Sequence, residues 1–289
     1  MTIGAVADHR SREGGAIIYP VYSRRSAGLS IGVNLFPDTK ICSFDCPYCE
    51  VFPFKTDLGF SLKTMKAALR SAMLEAMEQN IPIRDICFSG NGEPTMSVHF
   101  AEALEAAKNI RSELYLEHRG SLQLAETKIV LITNGTGLLD PLMFDLLKNA
   151  ANNGLYLWLK LDAATEDWYK TMDKSDIAHE TLLSRIGEFA ASGAPFTIQT
   201  MVCMVKGQLP PEKEKTAWVR LVTELAAASA AAHGARGGIR AVQIYGKARP
   251  APEDPLAEAA PAAILEERAE QLRAALAEAA LSVPVEVYQ

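Results

Sequence analysis

The chain has no run of about 18 consecutive apolar residues, so no membrane-spanning helix is expected. Its first residues, Met1 to Arg12, are polar and lack the apolar core of a secretory signal, which makes the cytoplasm the expected location. It has no excess of positive charge: 29 Lys and Arg stand against 35 Asp and Glu, a net charge of −6. A general attraction to nucleic acid is therefore missing, and RNA binding would rest on a local patch such as Arg24-Arg25 beside Tyr22. Cysteines are few, five in 289 residues, and three of them lie within eight positions. An odd, clustered set does not build a secreted disulfide framework; it points to a metal or cluster site in a reducing compartment. No internal repeat and no long low-complexity linker is present, and the five histidines show no metal-ligand spacing.

What is present is an alternation of strand-like and helical segments. Strands are expected at Leu29–Leu35, Asp85–Ser89, Lys128–Thr133, Leu155–Asp162, Phe196–Val202 and Ala241–Tyr245. Helices are expected at Leu62–Gln79, His99 to about Arg111, Pro141 to about Asn149 with Asp140 as N-cap, Glu180–Ala191, Lys213–Ala232 and Pro261–Ala280, with an edge strand at Val283–Tyr288. Arg111–Ala125 reads as an inserted connection and Arg249–Pro261 as a surface loop. Six β-then-α units in series predict an α/β fold with a parallel sheet and right-handed crossovers, and six units instead of eight predict an incomplete barrel. One domain is expected over 1–289, with a core at about 29–246, a lead-in at 1–28 and a C-terminal loop, helix and strand at 247–289.

The first expected strand runs into Cys42-Ser43-Phe44-Asp45-Cys46-Pro47-Tyr48-Cys49, a C-x3-C-x2-C run. Pro47 discourages a continuous helix, so the thiols sit on a loop able to wrap an inorganic cube. Three thiolates hold three irons of a [4Fe-4S] cluster and leave the fourth iron open. A zinc site would need a fourth ligand, and the nearest that follow are Cys87, inside an apolar strand, and His99.

This spacing, with an aromatic residue before the last cysteine, resembles the signature of the radical S-adenosylmethionine (SAM) superfamily, and the resemblance runs from about Ile31 to Tyr245. Asn34-Leu35-Phe36-Pro37, Ser89-Gly90-Asn91-Gly92-Glu93-Pro94-Thr95 and Trp158-Leu159-Lys160-Leu161-Asp162-Ala163 resemble, more narrowly, the iron–sulfur oxidoreductases related to wyosine tRNA synthase. The resemblance implies a partial parallel (β/α)6 barrel of radical SAM type. It also implies an enzyme whose cluster, on Cys42, Cys46 and Cys49, cleaves SAM reductively to a 5′-deoxyadenosyl radical that abstracts hydrogen from a substrate. Gly90, Asn91, Gly92 and Glu93 match the family's Gly-Gly-Glu motif, with Glu93 accepting from the SAM ammonium. Tyr48 would lie near the adenine, as would the backbone of residues 244–246.

Strand ends supply the other candidates. Asn134 reads as a SAM or substrate contact or equally as a turn residue. Lys160 and Asp162 are candidate catalytic groups at the end of the fourth strand; the alternatives are an ion pair for Lys160 and a helix N-cap for Asp162. Gln199 either bonds SAM or satisfies buried backbone, and Tyr245 shares a strand face with Gln243. Arg249 either reaches an acidic substrate group or lies solvated on a loop. Wyosine synthases hold a second cluster, which Cys87 and Cys203 alone cannot build. The expected substrate is therefore small or peptide-like, with tRNA the alternative, and a non-catalytic iron–sulfur or zinc protein a remote third class. With no flavin site or second cluster visible, a flavodoxin or ferredoxin is the expected electron donor.

Overall fold

A computed structural model describes residues 16–118, 122–233, 238–252 and 256–289. The reading of Met1 to Arg12 lies outside them. The chain divides into two compact units, Met1–Cys42 with Pro53–Ile132 and Ser43–Phe52 with Thr133–Gln289.

In the first unit, β1 (Ile18–Ser23) forms an antiparallel hairpin with β2 (Gly28–Val33). After α1 (Leu62–Glu78), β3 (Ile83–Phe88) pairs parallel to β2. Next come α2 (Phe100–Glu117), α3 (Leu122–Glu126) and β4 (Lys128–Thr133), which pairs parallel to β3. Ser61 caps α1 by accepting from the Thr64 amide, and Met65, Leu69, Ala72, Met73 and Ala76 form its buried stripe at helical spacing. The hairpin strand β1 was not anticipated. Pro20 argues against a central strand, yet an edge strand tolerates it. The segment read as an insertion is largely a continuation of α2, which keeps Ile110 and Leu114 buried on its inner face, followed by α3; residues 119–121 of it are not described.

The second unit begins with α4 (Pro141–Asn152), where Asp140 accepts from the Leu142 and Met143 amides at 2.7 and 3.1 Å. It continues through β5 (Leu155–Lys160), α5 (Glu166–Met172), α6 (His179–Ala191), β6 (Phe196–Val205), α7 (Glu212–His233) and β7 (Ile239–Gly246). The last elements are β8 (Ala257–Ala259), α8 (Ala262–Glu278) and β9 (Val285–Tyr288). Strands β5, β6, β7 and β9 pair in that order, all parallel, and β8 lies antiparallel against the outer end of β6. The expected edge strand is therefore β9. The expected surface loop contains β8, too short at three residues to show an alternating pattern. All six strands and six main helices read from the sequence are present, with ends shifted by a few residues.

Candidate active site

In the first unit the chain leading into Cys42 is bonded to the Gly90–Glu93 loop. The Ile41 amide donates to Asn91 O at 3.2 Å, and the Glu93 amide donates to Ile41 O at 2.8 Å. Gly92 permits this approach, since a Cβ there would lie 1.9 Å from Ile41 O. Gly90 holds φ at +115°, a conformation that side-chain-bearing residues rarely adopt. Asn34 braces both segments: its Oδ1 accepts from the Phe36 and Asn91 amides, each at 3.1 Å. Asn91 returns a bond from its side-chain amide to Phe36 O at 3.2 Å. Glu93 is buried, and its Oε1 accepts from the Thr95 amide (3.2 Å) and hydroxyl (2.7 Å), capping a short turn at Pro94–Met96.

In the second unit Cys46-Pro47-Tyr48-Cys49 is a turn closed by the Cys49 amide donating to Cys46 O at 3.0 Å. The residues just before it are clamped by the segment that follows α5. The Asp45 amide donates to Asp173 O at 2.9 Å, the Ser175 hydroxyl donates to Ser43 O at 2.9 Å, and the Cys46 thiol lies 3.9 Å from Asp173 Oδ1. Phe44 packs edge-on against Tyr169, which stacks on His179. Asn134 reaches the same loop, donating to Ser43 Oγ at 2.9 Å while its Oδ1 accepts from the Thr136 amide at 3.0 Å. It is a turn residue and a brace at once.

Tyr48, Lys160, Asp162 and Tyr245 form one buried cluster. The Tyr48 hydroxyl donates to Asp162 Oδ2, and Lys160 Nζ lies 2.8 Å from the same oxygen and donates to Tyr245 OH at 2.8 Å. Asp162 Oδ1 accepts from the Met201 amide at 2.7 Å, so both carboxylate oxygens are used. Lys160 Nζ also sits 4.6 Å from the centre of the Tyr48 ring. The ion pair weighed for Lys160 is thus present, and Asp162 spends its side chain on β6 and Tyr48. Gln199 lies in register with Lys160 and donates to Gln243, which donates to Glu286. Arg249 pairs with Glu50, one residue beyond Cys49.

Burial by itself would lower the Lys160 pKa, but the Asp162 carboxylate reverses this and holds the ammonium above its ordinary value. Burial first, then Asp162, pushes the Tyr48 phenol up, so it stays a donor. Burial first, then Asp173, pushes the Cys46 thiol up. Cys42, Cys46 and Cys49 are partly exposed and in no disulfide, whereas Cys87 and Cys203 are buried, with thiols pushed to about 12 chiefly by desolvation. A zinc ion gathers its ligands around one point. Among the described residues no three His, Cys, Asp or Glu gather in that way. A cuboidal cluster takes one thiolate at each of three separate irons, which cysteines spaced along an open loop can supply.

Sequence reasoning passed over Asn34, Asp173 and Ser175. Asn34 stood in a noted phrase, and its place just after β2 was the available signal. Asp173 and Ser175 carry none, because they meet the cysteine loop only through the packing of α5.

Residues 36–208, which take in the cysteine loop, the Gly90–Glu93 loop and β3 to β6, match the Radical SAM superfamily. The chain belongs to this superfamily. Its cofactors are those of radical SAM enzymes, a [4Fe-4S] cluster and SAM. Such an enzyme needs a one-electron reductant and a substrate. Among the described residues no helix is long and apolar enough to cross a membrane. A UPF0026 protein of Helicobacter pylori is 28% identical over 143 residues, 48% of this chain and 41% of its own length. A UPF0026 protein of Synechocystis is 27% identical over 193 residues, 65% of this chain and 64% of its own. The chain thus spans about two fifths of the Helicobacter relative. Streptococcus suis SuiB bound to its precursor peptide SuiA is similar at TM-score 0.59 and 11% identity, over 92% of this chain and 51% of that one. At that identity the likeness is one of fold, and the partial parallel α/β barrel expected for a radical SAM enzyme is the fold shared.

Proposed function

We propose that Cys42, Cys46 and Cys49 each bind one iron of the cluster and that residues 1–289 act as one radical SAM domain on a small or peptide-like substrate. The partition of the cysteines carries this reading: three partly exposed thiols share one loop, and the other two are sealed in strands. Together the cofactors supply one-electron cleavage of SAM and hydrogen-atom abstraction from the substrate. Around them the chain's own groups position and exclude. Glu93 accepts from the SAM ammonium, on a loop held by Asn34, Asn91 and the two glycines. Tyr48 shields the turn and is anchored by Asp162. Lys160 keeps a fixed positive charge beside it, facing bound SAM or substrate, while Asn134, Gln199 and Tyr245 line the strand ends.

The net charge of −6 favours a small or peptide-like substrate over RNA, and SuiB offers a peptide-bound example of the fold. The tRNA reading is favoured by exposed Tyr22 and Arg24 at the β1–β2 turn. That turn opens β2, whose other end, about 20 Å along the six-residue strand, leads on toward Cys42. The test is anaerobic reconstitution followed by an assay for 5′-deoxyadenosine with peptide and metabolite fractions or with undermodified tRNA. Stimulation by the fractions supports the proposal. Stimulation by tRNA, with a salt-dependent affinity that Arg24→Ala plus Arg25→Ala flattens, replaces it with the tRNA reading.

A further inference from the structure

A markedly basic stretch lies on the first unit of the acidic chain. Between Pro53 and Arg70 stand Lys55, Lys63, Lys66 and Arg70 against a single carboxylate, Asp57. Arg70 is engaged by Glu113 and Glu117. Lys55, Lys63 and Lys66 are exposed. Lys63 and Lys66 help line a groove of about 650 Å³ between α1 and α2, with Leu62, Ala106, Ile110 and Glu113. Exposed apolar side chains stand on the segments that precede α1 and α2: Leu58 is 56% exposed, Met96 46% and Val98 90%. Phe60 stacks on His99 at 5.0 Å between ring centres, which joins the segment before α1 to the loop before α2.

Both edges of this face are bonded to the residues that enter Cys42. Lys55 bridges Thr39, the Thr56 amide donates to Asp38 O at 2.8 Å, and the Glu93–Met96 turn hangs on Ile41. A protein seated here therefore lies beside a cluster ligand. The reaction requires one electron per SAM cleaved, and the carriers that deliver single electrons at low potential, flavodoxins and ferredoxins, are small acidic proteins. An overall charge of −6 repels such a carrier everywhere except at a local cationic rim. An apolar centre with a charged edge is the composition of a transient interface.

We propose that the face formed by Lys55, Lys63, Lys66, Leu58, Met96 and Val98 is the docking surface for an acidic one-electron carrier. The carrier loses one electron and the cluster gains it, with no atom transferred. The proposal rests on the reading of Cys42 as a cluster ligand. The test uses the reconstituted full chain and its Lys55→Glu, Lys63→Glu, Lys66→Glu triple variant, with Arg220→Glu on α7 as a charge control. Cluster reduction is followed by stopped flow with a reduced flavodoxin, and separately with a photoreduced, uncharged deazaflavin. The triple variant should be reduced by flavodoxin about tenfold or more slowly at low salt and lose the parent's salt dependence. The deazaflavin rate and the Arg220→Glu protein should match the parent. Equal flavodoxin rates in parent and triple variant overturn the proposal. So does a variant that loses tRNA affinity while keeping its flavodoxin rate, which would assign the face to RNA. A parent that no reductant can reduce overturns the cluster reading itself, and the deazaflavin arm identifies that case.

Discussion

At the scale of single residues, Glu93 has two jobs that different substitutions separate. Its carboxylate caps the Pro94–Met96 turn through Thr95, and it is proposed to hold the SAM ammonium. Glu93→Ala should weaken SAM binding by about 1.5–3 kcal/mol, roughly ten- to a hundredfold. Thr95→Val, which removes only the local hydroxyl bond, should leave anaerobically measured SAM affinity unchanged. Equal losses in both variants would make Glu93 a turn residue alone. Asp85 offers a pH signature outside the C-x3-C-x2-C loop. It is buried at the base of β3 and accepts from the Ser30 hydroxyl, and desolvation raises its pKa. A folded-state pKa above the unfolded value means that stability is greatest below about pH 4 and declines as pH rises through the folded value. Asp85→Asn lacks that decline. Urea unfolding of both proteins from pH 4 to 7 should therefore show their stability difference moving steadily in favour of Asp85→Asn. A constant gap would contradict the raised pKa.

At the scale of elements, one substitution at two glycines should act in opposite directions. Gly92 lies where the Glu93 loop crosses the chain before Cys42, and an added Cβ would meet backbone oxygen. Gly92→Ala should part the two strands of that bridge and lower iron content after reconstitution severalfold, with far-ultraviolet circular dichroism unchanged. Gly187 lies inside α6 with nothing within 4 Å of an added Cβ. Gly187→Ala should raise stability by about 0.5–1 kcal/mol in denaturant unfolding, because alanine loses less backbone entropy in a helix. The elements were legible where their signals are local. The Asp140–Pro141 start of α4 and the run Lys128–Thr133 of β4 lie where the pattern put them. Strand β1 was not, because Pro20 masks an edge strand whose existence depends on a partner, β2.

At the scale of the whole molecule, the five thiols divide into two populations. Cys87 and Cys203 are buried in β3 and β6, with thiols pushed to about 12. Thiolate, not thiol, reacts with alkylating agents. In cluster-free native protein at pH 8, mass spectrometry should show both unmodified by iodoacetamide until urea unfolds the chain. Early modification of either would mean that its strand opens locally. The acidic net charge is also a property of the whole, and it makes the basic stretch from Lys55 to Lys66 conspicuous.

The sequence by itself determined the superfamily, the α/β alternation and the C-x3-C-x2-C spacing. These follow from residue type and from spacings of a few positions: three and two between thiols, two along a strand, three to four along a helix. Only the tertiary structure decided what those residues touch. Lys160 and Asp162 read as ligand-facing groups, with an ion pair for Lys160 and a helix N-cap for Asp162 as alternatives; register set Lys160 beside Tyr245 and turned Asp162 to Tyr48 and Met201. Asn91, read as part of the cofactor motif, and Asn134, read equally as a contact or a turn residue, also brace the lead-in and the cysteine loop. Asp173 carried no signal, yet it stands beside Cys46 from 127 positions away. Such partners are chosen by sheet register and helix packing, which sum the preferences of the whole chain and leave no mark in the few residues around any one of them.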